Sequence, residues 1–206
     1  MQSKIRGVQI QGGAEIDIKA NSTGDLLVAN YLPKYASLAL TGCGAIVQAT
    51  TAVASVTADP TTASLGTLYN GSSTKKYIID RIFFDTAASD ESKKSSHHLV
   101  YCIQPAGVTT TRVADITIKN MNGGSYSGDG IFDVGHTAVD HGWFSIGNSV
   151  DTGQLTANGG MSYSYNVDGR IILDPTTAIA LSVVGSDADV TVMVGISWFE
   201  VTVTGA

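Results

Sequence analysis

Fourteen residues near the end of the chain, "VTVMVGISWFEVTV" (190–203), constrain its fold more than any other stretch. Val190, Val192, Val194, Ile196 and Trp198 recur at every second position, and Thr191, Met193, Gly195, Ser197 and Phe199 fill the alternate ones. Successive side chains of a β-strand point to opposite faces, so this pattern predicts one long strand with one face turned to a core.

The rest of the chain is written in shorter pieces of the same kind. "AIVQATTAVASVTA" is β-branched and closes at Asp59-Pro60. "TLYNG" predicts a strand ending in a turn at Asn70-Gly71, followed by a strand over 77–85. "LVYCIQ" and "VADITIK" predict two more. "MSYSYNV" and "RIIL" flank Asp168-Gly169, a pair suited to a type I′ hairpin turn, and "AIALSVVG" follows the break at Asp174-Pro175. The polar run "DESKKSS" (90–96) and the Gly-rich "NMNGGSYSGDG" (120–130) predict loops, with His97-His98 ending the first. Twenty-three glycines and only four prolines in 206 residues suit short strands joined by tight turns. With 43% hydrophobic residues the chain can bury one substantial core. About eight to ten strands without βαβ alternation predict an all-β fold, an antiparallel β-sandwich with a jelly roll as the leading topology.

Residues 1–30 are polar and weakly periodic, and they predict an extended N-terminal arm ahead of a single β-sandwich domain over 31–206. Ile5, Val8, Ile10, Ile16 and Ile18 are apolar residues in a segment too polar to bury them alone, which makes them candidates for contact with another subunit or a shell. "GDLLVANYLPKYASLAL" holds the one expected helix, kept short by Pro33.

Net charge is −6, and the only adjacent basic pairs are Lys75-Lys76 and Lys93-Lys94. Binding to nucleic acid requires a Lys/Arg stripe and is disfavoured. No run of about 18 apolar residues predicts a membrane helix, and the N-terminus has no apolar core of signal-peptide type. Cys43 and Cys102 are expected to be separate thiols.

The stretch "VGHTAVDHGWF" (134–144) gathers two of the four histidines beside Asp140. His136 and His141 are five apart, which places them on opposite faces of a strand, and a third ligand would have to come from Asp133 or Asp129. A loop bracketed by Gly135 and Gly142 accounts for the pattern better. Its histidines would face solvent or a subunit contact, and Trp143 and Phe144 would plug a core or a subunit seam. His97 and His98 are expected in a solvated loop end, where titration near neutral pH would modulate subunit contacts.

Enzyme motifs are not evident. The centre of Gly124-Ser-Tyr-Ser-Gly128 is Tyr126, not a serine nucleophile. "GSDADV" and "SGDGIFD" lack calcium-loop spacing, no carboxylate pair is marked for glycosidase chemistry, and aromatic residues do not cluster as a sugar-stacking platform. No enzymatic activity, cofactor or metal is expected.

The pattern as a whole, Gly/Ala/Thr/Ser-rich, β-stranded and poor in charge, resembles bacteriophage virion structural proteins. Three stretches carry the likeness. "GDLLVANYLPKYASLALTG" (24–42) looks like the opening segment of small phage head or tail proteins. "NVDGRIILDPTTAIALSVVG" (166–185) looks like a hairpin ending in a rim loop, and "VTVMVGISWFEV" (190–201) is similar to a closing jelly-roll strand with a W-x-E ending. The resemblance implies a virion component assembled in the host cytoplasm, a homotrimer partnered by other virion proteins such as the major capsid protein. A genome-packaging single-jelly-roll capsid protein commonly carries a basic arm. Here Lys4, Arg6 and Lys19 are set against Glu15 and Asp17, which favours a decoration (cement), head-fibre base or tail role on the exterior. The larger, helical shell fold of tailed-phage capsid proteins does not suit so strand-rich a chain. A glycan- or receptor-binding β-sandwich is the alternative, marked by an exposed aromatic pair near Tyr126, Trp143 or Tyr163. An enzyme such as a depolymerase would need a deep cleft with two facing carboxylates or a three-ligand metal site.

Overall fold

A computed structural model describes residues 6–8, 15–17, 35–61, 63–88, 95–107, 116–139, 142–151, 162–185 and 190–202. The chain divides into two units, Met1–Ser37 and Leu38–Ala206. Within the first, β1 (Arg6–Val8) pairs antiparallel with β2 (Glu15–Asp17), with Val8 opposite Glu15 and Ile16 opposite Gly7. A short helix, α1 (Ala36–Leu40), follows Pro33, as its proline predicts.

The second unit is an antiparallel β-sandwich. Its strands are β3 (Gly44–Gln48), β4 (Val53–Ala54), β5 (Gly66–Asn70), β6 (Lys75–Ala88), β7 (Ser95–Gln104), β8 (Lys119–Asn120), β9 (Gly130–Asp133), β10 (Phe144–Asp151), β11 (Ser162–Leu173), β12 (Ala178–Gly185) and β13 (Thr191–Thr202). One sheet has the order β10-β7-β12-β5-β9 and the other β11-β6-β13-β3-β8, with β4 also on β13. The pairings are nested: β3 lies beside β13, β5 beside β12, β6 beside β11 and β7 beside β10.

Alternation drives this arrangement. Val192, Val194, Ile196 and Trp198 of β13 face the core and are at most 3% exposed. Each such side chain contributes about 1.5–3 kcal/mol relative to exposure. From the facing sheet come Leu68, Ile179, Leu181 and Phe132. Gly66 packs closely under the facing sheet and its own neighbour strand: a Cβ there would stand 2.5 Å from Val194 Cγ2 and 2.7 Å from Phe132 Cζ. Buried Asn70 locks two corners together. Its Nδ2 donates to the Lys75 and Leu173 carbonyls (2.9 and 3.1 Å), and its Oδ1 accepts from Ser72 N.

Four expectations are corrected. Asp168 and Gly169 do adopt positive φ (54° and 77°), but they do not reverse the chain. They form an outward bulge in the continuous strand β11, tied down by Arg170 donating to the Val167 and Asn166 carbonyls. His97 and His98 lie within β7, opposite Ser149 and Asn148, because the ladder with β10 extends through them. Of "VADITIK" only residues 116–119 lie among the described residues: Ile116 and Ile118 are buried, and strand pairing there begins only at Lys119–Asn120. "AIVQATTAVASVTA" is broken into β3, β4 and a single parallel bridge between Val56 and Val184.

Candidate functional site

The structure separates the residues singled out in the sequence. Ile5, Ile10, Ile18, Asp140 and His141 lie outside the described residues; Val8 and Ile16 fall in the β1–β2 pair. Trp143 is half-buried, its indole Nε1 donating to the Pro60 carbonyl at 3.1 Å. Phe144 is 59% exposed at the start of β10, with its ring 5.7 Å from that of Tyr101. Tyr101 packs against the core from the same face of β7 as Leu99. The β7–β10 ladder stops at the Phe144–Tyr101 pair, and Ile103, two residues further along β7, is left 37% exposed. Phe144, Tyr101 and Ile103 thus form an apolar rim at an edge of the five-stranded sheet.

Within the histidine stretch, residues 134–139 turn at Gly135 (φ 76°) and run over the outer face of the five-stranded sheet, with the His136 side chain 16% exposed and Thr137 and Val139 turned outward. Ser64 N donates to the His136 carbonyl at 2.8 Å, and Val139 N donates to Gln104 Oε1 at 2.6 Å. Ala138 is 2% exposed. On the face beneath, Thr67, Cys102, Gln104, Ala178, Ala180 and Ser182 are at most 1% exposed. His136 Nδ1 lies 3.9 Å from Asp133 Oδ2, too far for a hydrogen bond. No group of three metal-ligating side chains occurs among the described residues. Cys43 and Cys102 are both free thiols, as expected.

One end of the interior holds a polar cluster that sequence inspection missed. Glu200, 6% exposed, accepts from Tyr126 Oη (2.6 Å) and pairs with Lys75 Nζ (3.0 Å). Tyr126 Oη in turn accepts from Gly130 N at 2.7 Å, and Trp198 is flanked by Tyr77 (5.8 Å, stacked) and Tyr126 (6.1 Å, edge-on). Burial, reinforced by Glu200, pushes both phenols well above their ordinary range near 10. Tyr126 is committed inward, and the half-buried Tyr163 packs on the core, so neither they nor Trp143 make an exposed aromatic pair.

The outer face of the six-stranded sheet carries the most developed polar site. Ile79 and Ile82 both point into the core at 0% exposure, yet two residues separate them. The reason is a β-bulge. Ser197 and Trp198 of β13, which are adjacent, pair with Arg81 and Ile79, so Asp80 is an extra residue against β13, while on the other side β11 bulges outward at 167–170 between its partners Asn166 and Ile171. Asp80 and Arg81 are therefore both directed to the outer face, side by side. They line a groove of about 510 Å³ with Phe83, Asp85, Ser164 and Ser197. Ser197 Oγ donates to Asp80 Oδ2 at 3.3 Å, while Gln48 Nε2 and Ser162 Oγ donate to the two oxygens of Asp85. Gly195 makes room for Phe83: a Cβ there would lie 2.0 Å from the ring's Cε2. Nothing in the sequence alone marks Asp80 and Arg81, because a bulge is a property of the partner register.

Comparison with known families, curated proteins and solved structures finds no match for the chain.

Proposed function

We propose that the protein is a non-enzymatic structural component of a phage particle, a jelly-roll sandwich that assembles as a homotrimer on the capsid exterior in a decoration or fibre-base role. The nested strand pairing supports the jelly-roll reading, since a long hairpin rolled into two sheets pairs its first strand with its last and so on inward. The observation that carries assembly is the rim at Phe144. A phenylalanine 59% exposed beside Tyr101 and Ile103 is an apolar surface of the kind covered in oligomers. Symmetric closure would cover it together with the sheet edge at β10. The acidic balance favours an exterior position with other virion proteins, such as the major capsid protein, as partners.

Sedimentation equilibrium tests the proposal. A trimer at micromolar concentration that dissociates on Phe144→Asp supports it, and a chain monomeric across the accessible concentration range overturns it.

A further inference from the structure

We propose that the groove on the outer face of the six-stranded sheet binds a neutral oligosaccharide. The groove lies away from the rim at Phe144, and its side chains are placed by the bulge at Asp80. A regular strand would alternate Asp80 inward and Arg81 outward, but the extra residue brings a carboxylate and a guanidinium to the same face. Bulges re-aim side chains at functional positions, and this one, an insertion against β13, lies beside the bulge of β11 at 167–170.

The donor and acceptor inventory then selects the ligand. Among the described residues the Arg81 guanidinium has no ion-pair or hydrogen-bond partner, and Asp80 uses one oxygen on Ser197, leaving Oδ1 open. Asp85 is different: both its oxygens are taken, by Gln48 and Ser162. It holds the wall of the groove and is not available to chelate a cation. Two carboxylates against one guanidinium, on a chain of net charge −6, disfavour an anion. What remains is a ligand that both donates and accepts hydrogen bonds without net charge, as the vicinal hydroxyls of a sugar do. Arg81 would donate to them and Asp80 Oδ1 would accept from them. Ser164 supplies a hydroxyl able to do either.

The apolar requirement of a pyranose, whose C–H face packs on an aromatic ring, is met by Phe83. Its ring sits in the space above Gly195, half-buried, and lines the groove between Asp80 and Asp85. A groove of about 510 Å³ falls within the roughly 300–1,000 Å³ of small-ligand sites, and its open form suits a chain laid across a sheet.

Saturation-transfer NMR on the full chain tests the assignment. The probes are neutral hexasaccharides of α-glucan, β-glucan, mannan, galactan and chitin type at about 5 mM, with sulfated and sialylated oligosaccharides as the anionic arm. Transfer to at least one neutral member is expected, reduced at least about tenfold in Phe83→Ala and in Arg81→Ala. Asp80→Asn, an exposed-face substitution that leaves Phe83 in place, should weaken it without disturbing the fold by circular dichroism. Sedimentation of the same variants should be unchanged, which separates this site from the rim at Phe144. No transfer to any neutral member, transfer indifferent to all three variants, or binding confined to the anionic arm would each overturn the proposal.

Discussion

The two sheets of the sandwich treat their outer faces in opposite ways. The five-stranded sheet has small residues there, Cys102, Ala178, Ala180 and Ser182, and they are closed off from solvent beneath a face crossed by the 134–139 segment. The six-stranded sheet carries Asp80, Arg81, Asp85, Ser162 and Ser164 outward, around a groove. The first face has become a second layer of core, where side-chain volume and polarity are fixed by packing. The second keeps Arg81, Ser164 and Asp80 Oδ1 with hydrogen-bonding capacity to spare, while Ser162 and Gln48 occupy Asp85. Interaction chemistry on this unit is therefore concentrated on the open face and at the rim by Phe144.

The sharpest way to break this contrast is a charge on the closed face. Ala180 is 0% exposed in the middle of β12, flanked by Cys102 and Thr67. Ala180→Lys would force an ammonium with no partner into that layer, a mechanism that costs more than about 4 kcal/mol. Urea denaturation should show the variant unfolded or at the edge of unfolding. A stability within about 1 kcal/mol of the parent would mean that the face is not closed.

Next in size is Gly195→Ala, which tests the open face from below. The added methyl would meet Phe83 Cε2 at 2.0 Å and the Val47 carbonyl oxygen at 2.7 Å, and the second contact is backbone that cannot swing away. Overpacking of this kind costs about 1–3 kcal/mol. Removing the ring as well, in Gly195→Ala/Phe83→Ala, should recover only the part due to Phe83, so a double-mutant cycle separates the two clashes.

Gln104→Ala loosens the cover instead of the layer beneath it. It leaves Val139 N without its acceptor and removes the contact of Nε2 with Cys102 Sγ, at a cost of about 1–3 kcal/mol. Hydrogen exchange should show faster exchange in 134–139 while β13 keeps its protection.

Between the two faces, the phenols of Tyr77 and Tyr126 make stability depend on alkaline pH. Both titrate higher in the fold than in the unfolded chain, where the value is about 10. The folded state therefore holds their protons more tightly. That stabilisation is complete below pH 10 and is lost as pH rises beyond it, because the unfolded phenols then ionise and the folded ones do not. Thermal melts should fall in temperature above pH 10, and Tyr126→Phe should flatten that fall.

How much of this was legible in the sequence follows from the range of the signals. The alternation in 190–203 is local, and β13 with its core face forms where that alternation predicts it. Asp168-Gly169 shows where local chemistry stops. The pair does take the positive φ values that its composition favours, but a hairpin and a bulge both use them. Which of the two forms is decided by β6, which keeps pairing with β11 on either side of the bulge. Asp80 and Arg81 read as ordinary strand alternation for the same reason, since the extra residue exists only relative to β13. The histidines of 134–144 drew attention through their chemistry, while the structure uses the segment for its backbone, at the His136 carbonyl and Val139 N.

The smallest expected effect is the most direct counterpart of the largest. Ser164 sits on β11 opposite Phe83, on the open face, as an exposed residue. Ser164→Lys introduces the same ammonium as Ala180→Lys, in a strand of the same sandwich. Here the charge stays hydrated, the long stem can lie along the groove, and Asp80 and Asp85 supply a negative surround. Surface substitutions of this sort shift stability by about 0.5 kcal/mol or less. The gap between the two lysines, measured by urea denaturation under one set of conditions, reads out how differently the faces are covered. A loss at Ser164 approaching that at Ala180 would show that the six-stranded sheet is also buried, and the groove could then not be an open binding surface.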